Sequence, residues 1–295
     1  MKKLLSTVII VVLVLPVVLL ALTAASLLFG YEVYRDVAYG ELECETMDIY
    51  IPSKVKKNTD TAHGAVLFIH GGSWSGGDKR EEEIRARYLA SRGYITATMN
   101  YSLHSDEDDT YTVWGVLNEI DSALEKIVDF AKEMGITVDR AATSGYSAGA
   151  HLSMLYAFSR ADTSPVKVLF SANLAGPADI APEIWGEDLA IRIGEMLSGK
   201  ELSKDTASPE TRIVLESISP VTYVNSDTPP TLFVYGGKDT TVSARNGDSL
   251  VSALEASGVE YKYIFMPNSD HSLLQDVFKH LEYMLTLKTW CVEYL

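Results

Sequence analysis

Apolar positions along the chain follow two alternating rhythms. Short, nearly continuous apolar runs at 46–52 (TMDIYIP), 65–70 (AVLFIH), 94–101 (YITATMNY), 140–147 (RAATSGYS), 166–176 (VKVLFSANLAG), 230–237 (PTLFVYGG) and 261–267 (YKYIFMP) have the length and composition of strands. Between them, 79–92, 113–134, 148–160, 242–257 and 272–290 place their apolar residues at the spacing of amphipathic helices. The later strands carry no alternating polar face, so both of their sides are expected to be covered. Strand and helix in turn predict an α/β fold: a mostly parallel central sheet with helices on both faces. No repeat or Pro/Gly-rich linker divides residues 31–295, which read as one domain.

Two stretches break the rhythm. Residues 178–219 interpose helical and polar sequence where a short helix would be enough. Insertions at the carboxyl edge of a parallel sheet commonly cover binding sites, so a small cap is expected there. Residues 1–30 begin with Lys2 and Lys3 and continue as an apolar run from Leu4 to Phe29, broken only by Ser, Thr and one Pro. At about 1.5 Å per residue that run can cross the roughly 30 Å hydrocarbon layer. A signal peptide cleaved within ALTAAS, giving a secreted protein, is the alternative, but its apolar core is ordinarily only about 7–15 residues. The segment is therefore expected to be a signal anchor that attaches the protein to a membrane, with its lysines cytoplasmic and everything after Gly30 outside.

Charge and cysteine content narrow the function. The 295-residue chain has a formal net charge of −15, and loss of the first thirty residues, with Lys2 and Lys3 and no acid among them, makes it −17. Such a surface is unsuited to nucleic acid, which is not expected as a partner, and SDEDD at 105–109 adds to the mismatch. Cys44 and Cys291 are too few for a zinc site or a disulfide framework. They could pair in an exported protein, but two free, mostly buried thiols are expected.

The chemistry is carried by TSGYSAGAHL, residues 143–152. Ser147 stands where an apolar strand ending in Gly145 meets a helical pattern, the setting of a nucleophile held out on a strained strand-to-helix turn. There the amide of Ala148 can donate to a developing oxyanion. A second donor is expected from the loop FIHGGSWSGGDK, where Gly71 and Gly72 follow a strand and allow close backbone approach to a reacting carbonyl. That loop lacks both the Lys-Ser/Thr ending of a P-loop and the spacing of a dinucleotide fingerprint. His70 is expected to brace it.

A serine alcohol needs a base, and the base an acid. His63 and His104 lie in polar loops, and His151 and His280 within helices. His271, in MPNSDHSLL, follows the last strand and so lies at the same sheet edge as Ser147. For the acid, Asp239 follows the strand TLFVYGG directly; Asp179, near the cap, and Asp270, beside the histidine, compete with it. The order Ser147, Asp239, His271 is that of α/β-hydrolases.

On HGGSW, GYSAGAHL, SPVTYV…PPTLFVYGGKDTTV and NSDH, in this order and spacing, the chain from about Tyr31 to its end resembles α/β-hydrolases of the esterase/lipase type. Within that type it resembles the hormone-sensitive-lipase-like and bacterial feruloyl- or acetyl-esterase-like groups. The lipase-like branch usually has a third glycine where Ser73 stands, and proline often follows the valine that here precedes Ser243. The resemblance implies a cofactor-independent, metal-independent serine carboxylesterase acting on small or short-acyl ester substrates, with Ser147, Asp239 and His271 catalytic and Gly71, Gly72 and Ala148 forming the oxyanion hole. Three rivals share the fold: a prolyl-oligopeptidase-like exopeptidase, for whose propeller the chain has no room; a kynurenine-formamidase-like amidase; and a membrane-tethered binding protein without catalysis.

Overall fold

The computed structural model describes residues 30–58, 60–105 and 110–295. The expected anchor lies outside the described residues, Gly30 excepted, as do residues 106–109 of the acidic stretch. Among the described residues, no helix is long and apolar enough to cross a membrane.

Among the described residues, eight strands form one sheet: β1 (Tyr31–Ala38), β2 (Thr46–Pro52), β3 (His63–Ile69), β4 (Ile95–Met99), β5 (Val138–Tyr146), β6 (Lys167–Leu174), β7 (Thr231–Gly236) and β8 (Tyr261–Met266). Their order is β1-β2-β4-β3-β5-β6-β7-β8. Only β2 runs against its neighbours; from β4 to β8 every pairing is parallel. Helices α1 (Glu83–Ala90), α2 (Val113–Glu133), α3 (Ala148–Ser159), α4 (Pro182–Trp185), α5 (Glu187–Ser198), α6 (Pro209–Ser217), α7 (Arg245–Ala256) and α8 (Val277–Tyr294) connect and cover the strands. The mostly parallel sheet with helices on both faces is as the alternating pattern predicts, and α4, α5 and α6 occupy residues 178–219.

The continuous apolar strands feed two cores. In β3, Ala65, Leu67 and Ile69 join a cluster with residues of α2, α3 and α7. Val66 and Phe68 turn the other way, toward Leu89 of α1 and Tyr283, Leu287 and Trp290 of α8. Helix α2 shows why these segments fold as they do. Val113, Val116, Leu117, Ile120, Leu124 and Ile127 are buried along one stripe, each worth about 2 kcal/mol, far more than any difference in helix propensity. Thr112 caps its start, its hydroxyl oxygen accepting the Gly115 N–H at 3.1 Å. At its other end Gly135 takes the left-handed conformation, φ 74°, and Ile136 N–H returns to the Ala131 carbonyl at 2.9 Å.

Two elements differ from expectation. β1 was absent from the predicted strands because YEVYRDVA does not keep a period of two: its register shifts between Tyr34 and Val37, with Asp36 at φ 53° in the bulge. Its charges are used: Arg35 bridges Asp48 and Glu83, and Asp36 meets the buried Lys79, which also pairs with Asp48 at 2.8 Å. Tyr31 pairs with Pro52, the last residue of β2, so β1 starts at the edge of the sheet where the parallel strands begin. The last helix was expected over 272–290 but starts at Val277 and runs to Tyr294. Its expected first turn is instead a loop, in which Asp276 accepts from Asn268 and Ser269 and Asp270 from Ser272 and Gln275. Polar side chains that bond their neighbours' backbone compete with helix in this way. Cys44, half-buried, and Cys291, buried in α8, are both free.

Candidate active site

Ser147 links β5 to α3 at φ 54° and ψ −121°, a region that costs a non-glycine residue about 1–3 kcal/mol. The surroundings enforce it: Ser147 N–H donates to the Leu174 carbonyl at 2.8 Å, and the Ser147 carbonyl accepts from His151 N–H at 3.0 Å. The glycines flanking the serine are explained by close approach. A Cβ on Gly145 would lie 2.3 Å from the Gly149 carbonyl carbon, and one on Gly149 would lie 2.0 Å from the Ile69 carbonyl oxygen. The motif is therefore a packing solution that drives α3 against the end of β3 and leaves the serine hydroxyl at the sheet's carboxyl edge.

His271 lies between Ser147 and Asp239. Its Nε2 is 3.0 Å from Ser147 Oγ and its Nδ1 is 2.7 Å from Asp239 Oδ2. With Nδ1–H donating to the carboxylate, Nε2 is left to accept from the serine hydroxyl. The Asp239 side chain is fully buried, and its other oxygen, Oδ1, accepts from the amides of Thr241 and Val242 at 2.8 and 2.9 Å. The competing acids are engaged elsewhere. Asp179 accepts from the Ser249 hydroxyl and the Ala181 amide; Asp270 accepts from Ser272, whose hydroxyl holds this carboxyl below its usual range.

Gly71 reaches the same point. A Cβ there would sit 3.2 Å from Ser147 Cβ, so any side chain would crowd the nucleophile. Among the described residues no carbonyl accepts the amides of Gly71, Gly72 or Ala148. His70 stacks on Tyr101 with ring centroids 4.4 Å apart, and its Nδ1 is 2.7 Å from the Gly71 carbonyl, so it braces the loop; burial holds its pKa low. The structure thus brings together Ser147, His271, Asp239, Gly71 and Ala148, with Gly72 in the adjoining loop.

Three neighbours went unassigned in the sequence. Tyr146 donates its hydroxyl hydrogen to the His271 carbonyl at 2.8 Å, and its ring tilts against the imidazole at 5.2 Å. Burial, helped by the Asp239 charge, pushes its phenol up to about 12, so it remains a donor at neutral pH. Trp74 and His151 bond one another. Their signal was a tryptophan two residues past the paired glycines and a histidine one turn past the serine, both within the quoted motifs.

Fold and site geometry define an α/β-hydrolase of the esterase/lipase type. The BD-FAE family matches residues 47–254, a span that includes Ser147 and Asp239, and the chain belongs to that family. An acylamino-acid-releasing enzyme of Arabidopsis thaliana is 28% identical over 83% of this chain and 32% of its own length. An isoprenylcysteine alpha-carbonyl methylesterase of the same plant is 24% identical over 86% of this chain and 60% of its own. The chain thus spans a third to three-fifths of these relatives. A truncated carbohydrate esterase from gut microbiota superposes with a TM-score of 0.71 at 17% identity, covering 90% of this chain and 96% of that one, a likeness of fold.

Proposed function

We propose that this chain is a serine carboxylesterase that hydrolyses small, short-acyl esters through an acyl-enzyme intermediate. The observation that carries the reading is the hydrogen-bonded line from Asp239 through His271 to Ser147. Ser147 Oγ attacks the ester carbonyl carbon as its proton passes to His271 Nε2. Asp239 keeps Nδ1 protonated and offsets the imidazolium charge. The carbonyl oxygen, now an anion, accepts from the amides of Ala148, Gly71 and Gly72, each such donor being worth about 3–4 kcal/mol of barrier. His271 then protonates the departing alcohol, and water repeats the sequence to release the acid.

Support for a short acyl chain comes from the insertion at 178–219, which is short and carries few contiguous large apolar residues, and support for an ester bond comes from the methylesterase among the relatives. The acylamino-acid-releasing relative raises a second reading, amide hydrolysis by the same groups. A panel of p-nitrophenyl esters of increasing acyl length, beside acetylated xylan, a feruloyl ester and aminoacyl-p-nitroanilides, separates them. Acetate or butyrate is expected to turn over fastest. Faster turnover of a long-chain ester removes the short-acyl assignment, and faster turnover of an anilide selects the amidase. A fluorophosphonate probe is expected to label Ser147; a protein that only binds would stay unlabelled.

The run from Leu4 to Phe29 supports a membrane anchor with the hydrolase domain outside the cytoplasm. Native membranes should retain the protein, and protease added to spheroplasts should digest the domain from outside. A free mature protein beginning near Ala25 would replace the anchor with a cleaved signal.

A further inference from the structure

His151 takes no part in this proton path, yet its side chain is completely enclosed and both ring nitrogens are committed. Trp74 Nε1 donates to Nδ1 across 3.2 Å, which requires Nδ1 to be unprotonated. Nε2 therefore carries the hydrogen and donates it to the Ile218 carbonyl at 2.8 Å. One neutral tautomer satisfies both contacts, and burial favours it by pushing the imidazole down to about 4. The ring thus joins the loop after β3, the helix that starts at the serine, and the far end of the inserted segment.

The loop it holds is strained. After Gly72 at φ 112°, Ser73 and Trp74 follow at φ 53° and 60°, two successive residues with side chains in a region that both disfavour. Such a backbone persists only where surrounding contacts over-determine it. Trp74 supplies those contacts: its carbonyl accepts from His104 N–H at 2.7 Å, and its indole stands edge-on to His151 with centroids 5.2 Å apart.

We infer that His151 is the positioning residue of the oxyanion loop: by accepting from Trp74 it fixes the strained turn that presents Gly71 beside Ser147 and carries Gly72 next to it. The inference rests on the esterase reading above. Loss of a whole oxyanion donor costs about 10²–10³-fold in kcat; a loop that holds its donors loosely is expected to lose about 10–100-fold, with KM changing little.

The test compares wild type, His151→Phe, Trp74→Phe and the double variant, each checked for folding by circular dichroism, in kcat and KM for p-nitrophenyl acetate and in the rate of fluorophosphonate labelling. Either single variant is expected to lower kcat and labelling together, and the double variant to be no worse than the poorer single one. Should His151→Phe fail to fold, Trp74→Phe, which deletes the same hydrogen bond from the other side, decides alone. Folded variants with wild-type kcat, or losses that simply multiply, overturn the inference while leaving the esterase reading intact. A wild-type protein that is neither labelled nor active removes the esterase reading, and this inference with it.

Discussion

Ser147 sits 7% exposed at a turn its backbone does not favour, so two substitutions there have opposite uses. Ser147→Ala should leave the melting temperature nearly unchanged while ester hydrolysis falls by at least about 10³-fold. Ser147→Gly should be equally inactive yet more stable than the alanine variant by about 1 kcal/mol, because glycine adopts this backbone without strain; equal melting temperatures would count against a strained turn. At Asp239, Oδ1 is pinned by the amides of Thr241 and Val242. In Asp239→Asn the carbonyl oxygen must take that place and the NH2 group must face His271 Nδ1. The imidazole is thereby driven to its other tautomer, with a hydrogen on Nε2, and kcat should drop about 10⁴-fold in a protein that still folds. His151 contributes to stability with a definite sign. Its folded pKa lies at about 4, below the ordinary 6.5, so the unfolded chain binds the extra proton first. Its contribution is complete above pH 6.5, declines as pH falls toward 4, and amounts to about 3 kcal/mol over that window. Denaturant titrations should show this slope in wild type and a shallower one in His151→Phe.

At the scale of elements, the G-x-S-x-G motif is read most economically as contact between α3 and β3. Gly149→Ala places a methyl group against the carbonyls of Ile69 and His70, backbone atoms that cannot yield as a side-chain tip can. A destabilisation of about 3 kcal/mol is expected by chemical denaturation; a loss under about 1 kcal/mol would mean the helix can slide. The same contacts explain what could be read from the sequence. Strands β3, β5, β6 and β7 are buried on both faces, so their apolar runs were unambiguous, and the positions of Ser147, Asp239 and His271 follow from strand ends alone. β1 hid because a bulge with charged residues on an edge strand erases period two. The true start of α8 hid because Asp270, Ser272 and Asp276 fold back on their own loop. Trp74 and His151 were visible as letters but not as partners, since nothing in spacing tells which side chains meet across seventy-seven residues.

Taken whole, the molecule has two poles. The strands β3 and β5 end at Ser147 and its loop, whereas β1 begins at the opposite edge, where Tyr31 pairs with Pro52. The nine residues of β5, at about 3.3 Å each, put roughly 25–30 Å between the poles. A chain starting at Gly30 should therefore keep kcat within about twofold of the 295-residue chain, since among the described residues nothing at the entry pole touches the candidate catalytic groups; a larger loss would place residues 1–29 in the catalytic assembly. The polarity also bears on how substrate arrives. If the proposed anchor fastens residue 30 to a membrane, the body is held by one end and turns its other end outward, leaving the mouth sampling bulk solution rather than the plane of the lipids. Delivery is then three-dimensional diffusion, and the rate with a sparingly soluble ester such as tributyrin should level off at its solubility limit instead of jumping when droplets form.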